Sequence, residues 1–410
     1  MYIAANHAPD PPTATDRGPG LSRVSANVVA LGMVSLVTDV SSEMVTAVLP
    51  LYLVLGLGLN PLQFGLLDGL YAGATAILRM LGGHLADRWR RLKAVAGVGY
   101  GLSAVCKLGL LAAGSSVAAI GVVLAADRTG KGLRTGPRDA LISLSSEPAL
   151  LGRSFGVHRT LDTVGAFLGP LAAMAVLALS LGSYPSVFFA SFCVASVAVL
   201  LLALFVRDRR GAVERAEVSV RAAVNLLRHG DFRRVALWAA VLGLATVGDS
   251  FVYLALQRRW DVAATYFPLL PLGTAGVYLP LAVPVGRLAD RIGRWPVFLA
   301  GHAALGAALL LLCGPVSWAG FAVLALGLHG VFYAATDGVL MAAAGPLVPA
   351  GLRATGLAVV QTGQAVARML SSVLFGLSWT LLGLRPAMLV AAGALTVVVL
   401  VAAFSRQVRT

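Results

Sequence analysis

Residues 125–141, AADRTGKGLRTGPRDAL, close an apolar run that begins at Val117, yet they carry Asp127, Arg128, Lys131, Arg134, Arg138 and Asp139. At about 100° per residue on a helix, Asp127, Lys131, Arg134 and Arg138 share one narrow stripe. Arg128, Thr135 and Asp139 share its neighbour. Gly136 and Pro137 predict a bend or an end after Thr135, because proline lacks the backbone donor and restricts the residue before it. A phosphate-binding loop would need a glycine where Ala125 stands and a hydroxyl where Gly132 stands. Residues 117–126 leave no room for a separate span, so Arg128 is expected inside a membrane, where charge is costly and signals function.

Composition agrees with that placement. A chain of 410 residues that is 58% hydrophobic and 12% charged is a polytopic membrane protein rather than a soluble globule. The net charge of +14 sits in short segments between apolar runs, which is the pattern of topology signals rather than of a nucleic-acid binder. Cys106, Cys193 and Cys313 all lie in apolar runs, so neither a disulfide framework nor a thiolate metal site is indicated.

Residues 1–24, rich in Pro, Asp, Thr and Gly, read as a disordered cytoplasmic tail. Apolar runs long enough to cross a bilayer fall near 27–57, 62–85, 94–113, 116–141, 154–182 and 186–206. Six more follow near 236–258, 264–288, 295–314, 317–342, 355–382 and 384–404. Arginines and lysines at 88–93, at Arg153 and through 207–234 place these loops and both termini in the cytoplasm, with Arg258 and Arg259 as the exception. In the 207–235 linker, Val220, Ala223, Val224 and Leu227 recur at helical spacing, as in a short helix lying on the membrane or in a plain connector.

An internal repeat supports the count. GGHLADRWRRLK at Gly82–Lys93 recurs as VGRLADRIGRWP at Val285–Pro296, and GRSFG at Gly152–Gly156 is echoed by LRATG at Leu352–Gly356. The expected fold is an all-α membrane protein of twelve transmembrane helices in two pseudo-symmetric six-helix bundles, residues 25–206 and 236–405. Such duplication is the organisation of a two-lobed transporter with a central site.

At these residues the chain resembles the major facilitator superfamily. The signature after span two is carried by Gly83, Asp87, Arg88 and Arg91, with Arg90 where a second glycine is usual. Its second copy is carried by Gly286, Asp290, Arg291, Gly293 and Arg294. The span-four signature is matched by Arg128 and Gly132, and the span-five signature by Gly165, Gly169 and Pro170. That last motif resembles the antiporter branch and implies export, although Ala172 and Ala173 stand where further glycines are usual. Asp87 and Asp290 can cap the next helix start, or Asp87 with its neighbouring arginines can latch the closed cytoplasmic gate against charged partners near the inner end of span four, Asp139 first among them. Gly165 and Gly169 permit close helix approach.

Polar residues recur at membrane depth. Thr38, Asp39, Ser41, Ser42 and Glu43 interrupt the first span, with Asp39 and Glu43 one turn apart as a like-charge pair. Asp68 and Arg79 lie in the second span, His158, Arg159 and Asp162 in the fifth, Asp249 in the seventh, Asp337 in the tenth and Arg368 in the eleventh. Intramembrane charges commonly pair, so some of these are counterions. The expectation is a proton-coupled exporter of a small solute or drug in the inner membrane, working by alternating access as a monomer. Asp39, Glu43, Asp127 and Arg128 carry the coupling, and Asp68, Arg79, Lys131, Arg134, His158, Arg159, Asp162, Asp249, Asp337 and Arg368 are set about the cavity. Divalent-cation efflux on Asp39, Glu43, Asp249 and His158 is one alternative. Organic-anion uptake on Arg79, Arg128 and Arg368 is another. A membrane sensor or scaffold would need an effector domain that the linker is too short to hold. No nucleophile–base pair, cofactor loop or compact metal-ligand spacing appears, so neither an enzyme, a cofactor nor a bound metal is expected, and the partners are lipid, substrate and protons.

Overall fold

The computed structural model describes residues 24–71, 73, 91–147, 150–209, 225–314, 318–349 and 352–405. Arg79, Gly83, Asp87, Arg88 and most of the tail and linker lie outside these residues. All regular structure among them is helical. The first half holds α1 (Ala26–Leu51, continued as a π-turn through Gly56), α2 (61–71), α3 (Leu92–Ala112), α4 (Val117–Leu144), α5 (Leu151–Leu179) and α6 (Tyr184–Phe205). The second half holds α7 (Gly230–Ala245), α8 (Asp249–Trp260), α9 (Leu269–Ile292), α10 (Arg294–Cys313), α11 (Ala319–Thr336), α12 (Val339–Ala344), α13 (Arg353–Leu382) and α14 (Leu384–Phe404).

Local signals set several of these boundaries. Ser25, Ser116 and Ser183 cap α1, α4 and α6, each accepting a backbone N–H of the first turn. Ten described segments are long and apolar enough to cross a membrane. α4 has the length as well, its 28 residues spanning about 42 Å at 1.5 Å per residue, but carries the charges that set it apart. Large apolar side chains such as Val98, Val122, Phe189, Leu204, Val323 and Phe404 stand exposed on the outer faces. Water would disfavour so broad an apolar belt, and hydrocarbon matches it.

Of the expectations about helix continuity, one is narrowed and one corrected. α4 does not end at Gly136–Pro137 but runs on to Leu144 with Pro137 inside it. Ending there would strand several backbone groups in a medium without water, whereas passing through the proline forfeits one hydrogen bond. Conversely, the seventh and tenth spans are broken where the apolar runs read as continuous. α7 gives way to α8 across Thr246–Gly248, and α11 to α12 across Asp337 and Gly338, whose φ of +78° favours glycine. Discontinuous helices of this kind recur at transporter binding sites.

Within the first half α1 packs on α5 and α6, and α3 on α4 and α6. Within the second, α10 packs on α11 and α14, α9 on α11, and α13 on α7 and α14. Gly165 lies against the backbone of Leu36, and Gly169 lies against Val40 and Glu43, so the span-five glycines seat α5 on α1. The end of the molecule bearing Val24, Arg207 and Gly293 is called here the near end, and that bearing the 57–60 and Gly383 turns the far end. At the far end Leu62 N–H donates to Thr380 Oγ1 at 3.0 Å, and Gly376 meets the carbonyl of Pro61. Deeper along the same seam, Gly65 and Gly69 of α2 abut the carbonyls of Ser372 and Met369 in α13. The halves are therefore zipped along the far part of α2 and α13, with Phe64 edge-on to Phe251 at 4.9 Å.

Candidate functional site

Below that seam lies a cavity of about 490 Å³ walled by both halves. The first half contributes Glu43 and Thr46 from α1, Asp68 and Tyr71 from α2, and Pro170 from α5. From the second come the α7–α8 break with Asp249 and Ser250, Tyr253 of α8, and Arg368 and Ser372 of α13. The break matters because it brings the start of α8, and with it Asp249, onto the wall. Three carboxylates and one guanidinium thus face one space, in a chain whose overall balance is strongly cationic.

Each cavity carboxylate has its own partners. Ser372 donates to Asp68 at 2.7 Å, so a carboxylate of the first half is held by a hydroxyl of the second. Tyr333 donates to Asp249 Oδ2, and His329 Nε2 lies 3.3 Å from Oδ1. Behind His329, Thr274 Oγ1 is 3.2 Å from Nδ1, and Tyr253 donates to Thr274 at 3.1 Å. Glu43 faces the cavity from α1, one turn beyond Asp39, which is turned instead toward Arg134 at 3.8 Å.

The charged helix α4 forms a second, buried layer. Asp127 sits between Lys107 at 3.4 Å and Arg128 at 2.5 Å, with Ser103 donating to it at 2.5 Å. Arg128 lies over the ring of Tyr71, 3.9 Å from its centroid, and Tyr71 in turn meets Thr46 Oγ1 at 2.9 Å. The ring of Tyr71 therefore stands between the guanidinium and the cavity that the same tyrosine lines. Toward the near end Arg134 lies over Tyr100, and Arg138 spans Asp139 at 3.0 Å and Asp162 at 3.9 Å. Asp39 and Asp162 stand within hydrogen-bond reach of each other across α1 and α5. His158 is buried against Ser35 at 2.9 Å, and Arg159 is largely exposed, 3.4 Å from Asp162. Lys131 is partly buried on α4 beside these groups.

Of the residues expected about the cavity, Asp68, Asp249 and Arg368 line it, as does Glu43 from the coupling set. Lys131, Arg134, His158, Arg159, Asp162, Asp127 and Arg128 belong to the α1–α4–α5 layer, and Asp337 accepts from Tyr278 at 3.1 Å at the α11–α12 break. The ligand set for a divalent cation is dispersed, because Asp39 faces Arg134 and His158 faces Ser35, so that of the four only Glu43 and Asp249 share the cavity. Among the described residues no three His, Cys, Asp or Glu side chains converge. For organic-anion binding, Arg368 reaches the cavity, whereas Arg128 is covered by Tyr71.

The loop motifs are explained in part. Gly293 has φ +102°, a conformation only glycine adopts readily, and it starts α10. Arg294 then reaches Asp290 at 3.4 Å and donates to the carbonyl of Ala342 at 2.9 Å, clasping the 292–294 turn to α12. The exceptional Arg258 and Arg259 have structural partners at the far end: Arg258 lies over Trp379, and Arg259 caps α10 through the carbonyls of Leu312 and Gly314.

Several participants escape a reading of the sequence. Lys107 sits inside an apolar run that reads as lipid-facing or core, and only its type at that depth could have flagged it. His329, Tyr333, Thr274 and Ser372 are ordinary residues of apolar helices until the fold brings them to Asp249 and Asp68.

A cavity held between two six-helix bundles, closed at one end and walled by intramembrane charge, defines a membrane transporter. The chain belongs to the Major Facilitator Superfamily, which it matches over residues 31–279. It is 29% identical over 363 residues to an uncharacterised MFS-type transporter of Methanocaldococcus jannaschii, covering 87% of this chain and 89% of that one. The fold is similar to that of the nucleoside transporter NupG, with a TM-score of 0.81 at 14% identity over 92% of this chain and 99% of that one. It is also similar to a bacterial homologue of the human lysosomal transporter Spinster in an inward-facing and occupied conformation. There the TM-score is 0.73 at 16% identity, over 93% of this chain and 96% of that one. The protein is thus a multi-pass membrane transporter of the major facilitator type.

Proposed function

We propose that this protein is a proton-coupled exporter of a small solute, working by alternating access between bundles 25–206 and 236–405 with both termini in the cytoplasm of the cell that bears it in its inner membrane. The observation that carries the reading is the cavity at the α7–α8 break, where both bundles present charge to one space. In this orientation the far end is extracytoplasmic and closed, and the conformation is the one loaded from the cytoplasm. Glu43 and Asp249 are the carboxylates best placed to exchange a proton for solute, one from each bundle. Asp39, Asp127 and Arg128 act one layer behind, holding α1, α3, α4 and α5 in register through paired charge.

Proteoliposomes test this directly. An outward proton-driven efflux of a solute found by a resistance screen should be abolished by Glu43→Gln or Asp249→Asn, while counterflow exchange persists in at least one of them. Efflux that continues at wild-type rate in both variants, or that ignores a collapsed proton gradient, would refute the coupling. Uptake driven by the same gradient would refute the direction and leave the cavity reading intact.

A further inference from the structure

Asp249 is the cavity group with the most developed support. It stands at the first position of α8, half exposed to the cavity, and its two carboxylate oxygens meet Tyr333 and His329 from α11. His329 itself is completely buried, its ring packed against Phe332, Tyr333 and Tyr253. The 3.3 Å approach of Nε2 to a carboxylate oxygen calls for the hydrogen of a neutral imidazole on Nε2, since a lone pair there would face an anion, and so leaves Nδ1 to accept. Tyr253 donates to Thr274 Oγ1, which leaves the hydrogen of the Thr274 hydroxyl available to His329 Nδ1 at 3.2 Å. An imidazole accepting at Nδ1 carries its hydrogen on Nε2, the atom that lies 3.3 Å from Asp249.

This chain of groups is costly to build and serves no packing purpose an apolar side chain could not meet. A neutral His329 steadies an anionic Asp249, which can then receive a cation from the cavity. A second proton, arriving on Nδ1 once the Thr274 hydroxyl rotates away, makes His329 an imidazolium, and Asp249 then has its counterion beside it. The other charged and titratable groups turned toward this pair are Arg368 of α13, Tyr333 of α11 and Tyr253 of α8, with Asp68 of α2 across the cavity and Asp337 beyond Arg368. The cavity wall as a whole sets Glu43, Asp68 and Asp249 against Arg368.

We propose that Asp249 and His329 form the element at which solute and proton compete, and that the solute is an organic cation whose positive charge docks on Asp249 when His329 is neutral. This rests on the reading of the cavity as the solute site. Release of a cation and uptake of a proton are then one event at one ion pair, the proton on His329 displacing the solute's charge from Asp249, and this part of the exchange is driven from α11 rather than from the charged helix α4.

The test uses the full-length protein in detergent with tetraphenylphosphonium, a permanent organic cation that cannot itself titrate. Affinity is measured by equilibrium dialysis from about pH 5 to 8, the range in which histidine changes charge, and proton release is followed with an indicator in weak buffer. The wild type should bind with affinity rising by up to about tenfold per pH unit, the limit for one linked proton, and should release protons on binding. His329→Gln should bind with a flat profile and release none, and Asp249→Asn should lose binding. Persistence of proton release in His329→Gln, or a flat wild-type profile, overturns the exchange at His329 even if Asp249→Asn abolishes binding. Absence of wild-type binding overturns the cation class, and full binding by Asp249→Asn overturns the cavity reading beneath it. Should His329→Gln fail to fold, Thr274→Val keeps the imidazole and the volume while removing the partner of Nδ1. It should move the midpoint of the affinity profile without changing its upper limit, and an unmoved midpoint overturns the proposal.

Discussion

Gly69 offers the sharpest handle on the closed far end. A Cβ built there would stand 2.7 Å from the backbone oxygen of Met369, whereas ordinary contact begins near 3.4 Å. The α2–α13 seam must open by several tenths of an ångström to admit it, and a backbone carbonyl cannot swing aside. Overpacking of this kind costs about 1–3 kcal/mol. Because α2 and α13 belong to different bundles, that cost falls on the far-closed state alone, while the helix-propensity gain of alanine over glycine is common to both states. At about 1.4 kcal/mol per tenfold, Gly69→Ala should shift the equilibrium toward far-open by roughly 5- to 150-fold. Spin labels at Asn60 and Leu382, both exposed at the far end and one on each bundle, read the separation directly. The variant should populate a longer distance that the wild type shows weakly, and Gly101→Ala, whose Cβ would meet nothing within 4 Å, should not. An unchanged distance distribution in a folded Gly69→Ala protein would refute the idea that this seam is the gate.

Ser372→Ala removes a hydrogen bond to a carboxylate that crosses between the bundles, an interaction worth about 1.5–3 kcal/mol. The same spin labels should report a shift in the same direction. For the buried triad the signs separate the members: Asp127→Asn leaves Lys107 and Arg128 without their anion and should cost about 3–5 kcal/mol of stability. Lys107→Met leaves a balanced Asp127–Arg128 pair and should be near neutral, with thermal unfolding in detergent distinguishing the two. Gly338→Ala forces a side chain onto φ +78° and should lower stability by about 1 kcal/mol, read in the same melts.

Most of the fold was legible because hydrocarbon imposes long apolar runs, and a run is visible in sequence without knowing what it packs against. The six-plus-six count and the repeated GGHLADRWRRLK and VGRLADRIGRWP stretches therefore anticipate the bundles. Pro137 and Gly248 show where such reading fails. Whether a helix passes through a proline or breaks at a glycine depends on which neighbours can take up the freed backbone groups, and these neighbours are remote in the chain. The same holds for the site. Charges on α1, α2, α4, α7–α8 and α13 could be picked out by type, but their sorting into a cavity set and a counterion layer depends on which faces converge. Asp39 and Glu43, one turn apart, end with different partners. Lys107 and His329 became significant only when Asp127 and Asp249 were placed beside them.

The central claim is that one cavity, floored by the α7–α8 break, opens to each side of the membrane in turn. With Cys106, Cys193 and Cys313 replaced by serine, Ser250→Cys places a single thiol on the cavity wall. A membrane-impermeant thiol reagent is then applied separately to each face of oriented vesicles, with and without Gly69→Ala. The account predicts modification from both faces, with Gly69→Ala raising the rate from the far face and lowering it from the near one. Modification from one face alone, at a rate that Gly69→Ala leaves unchanged, would contradict it.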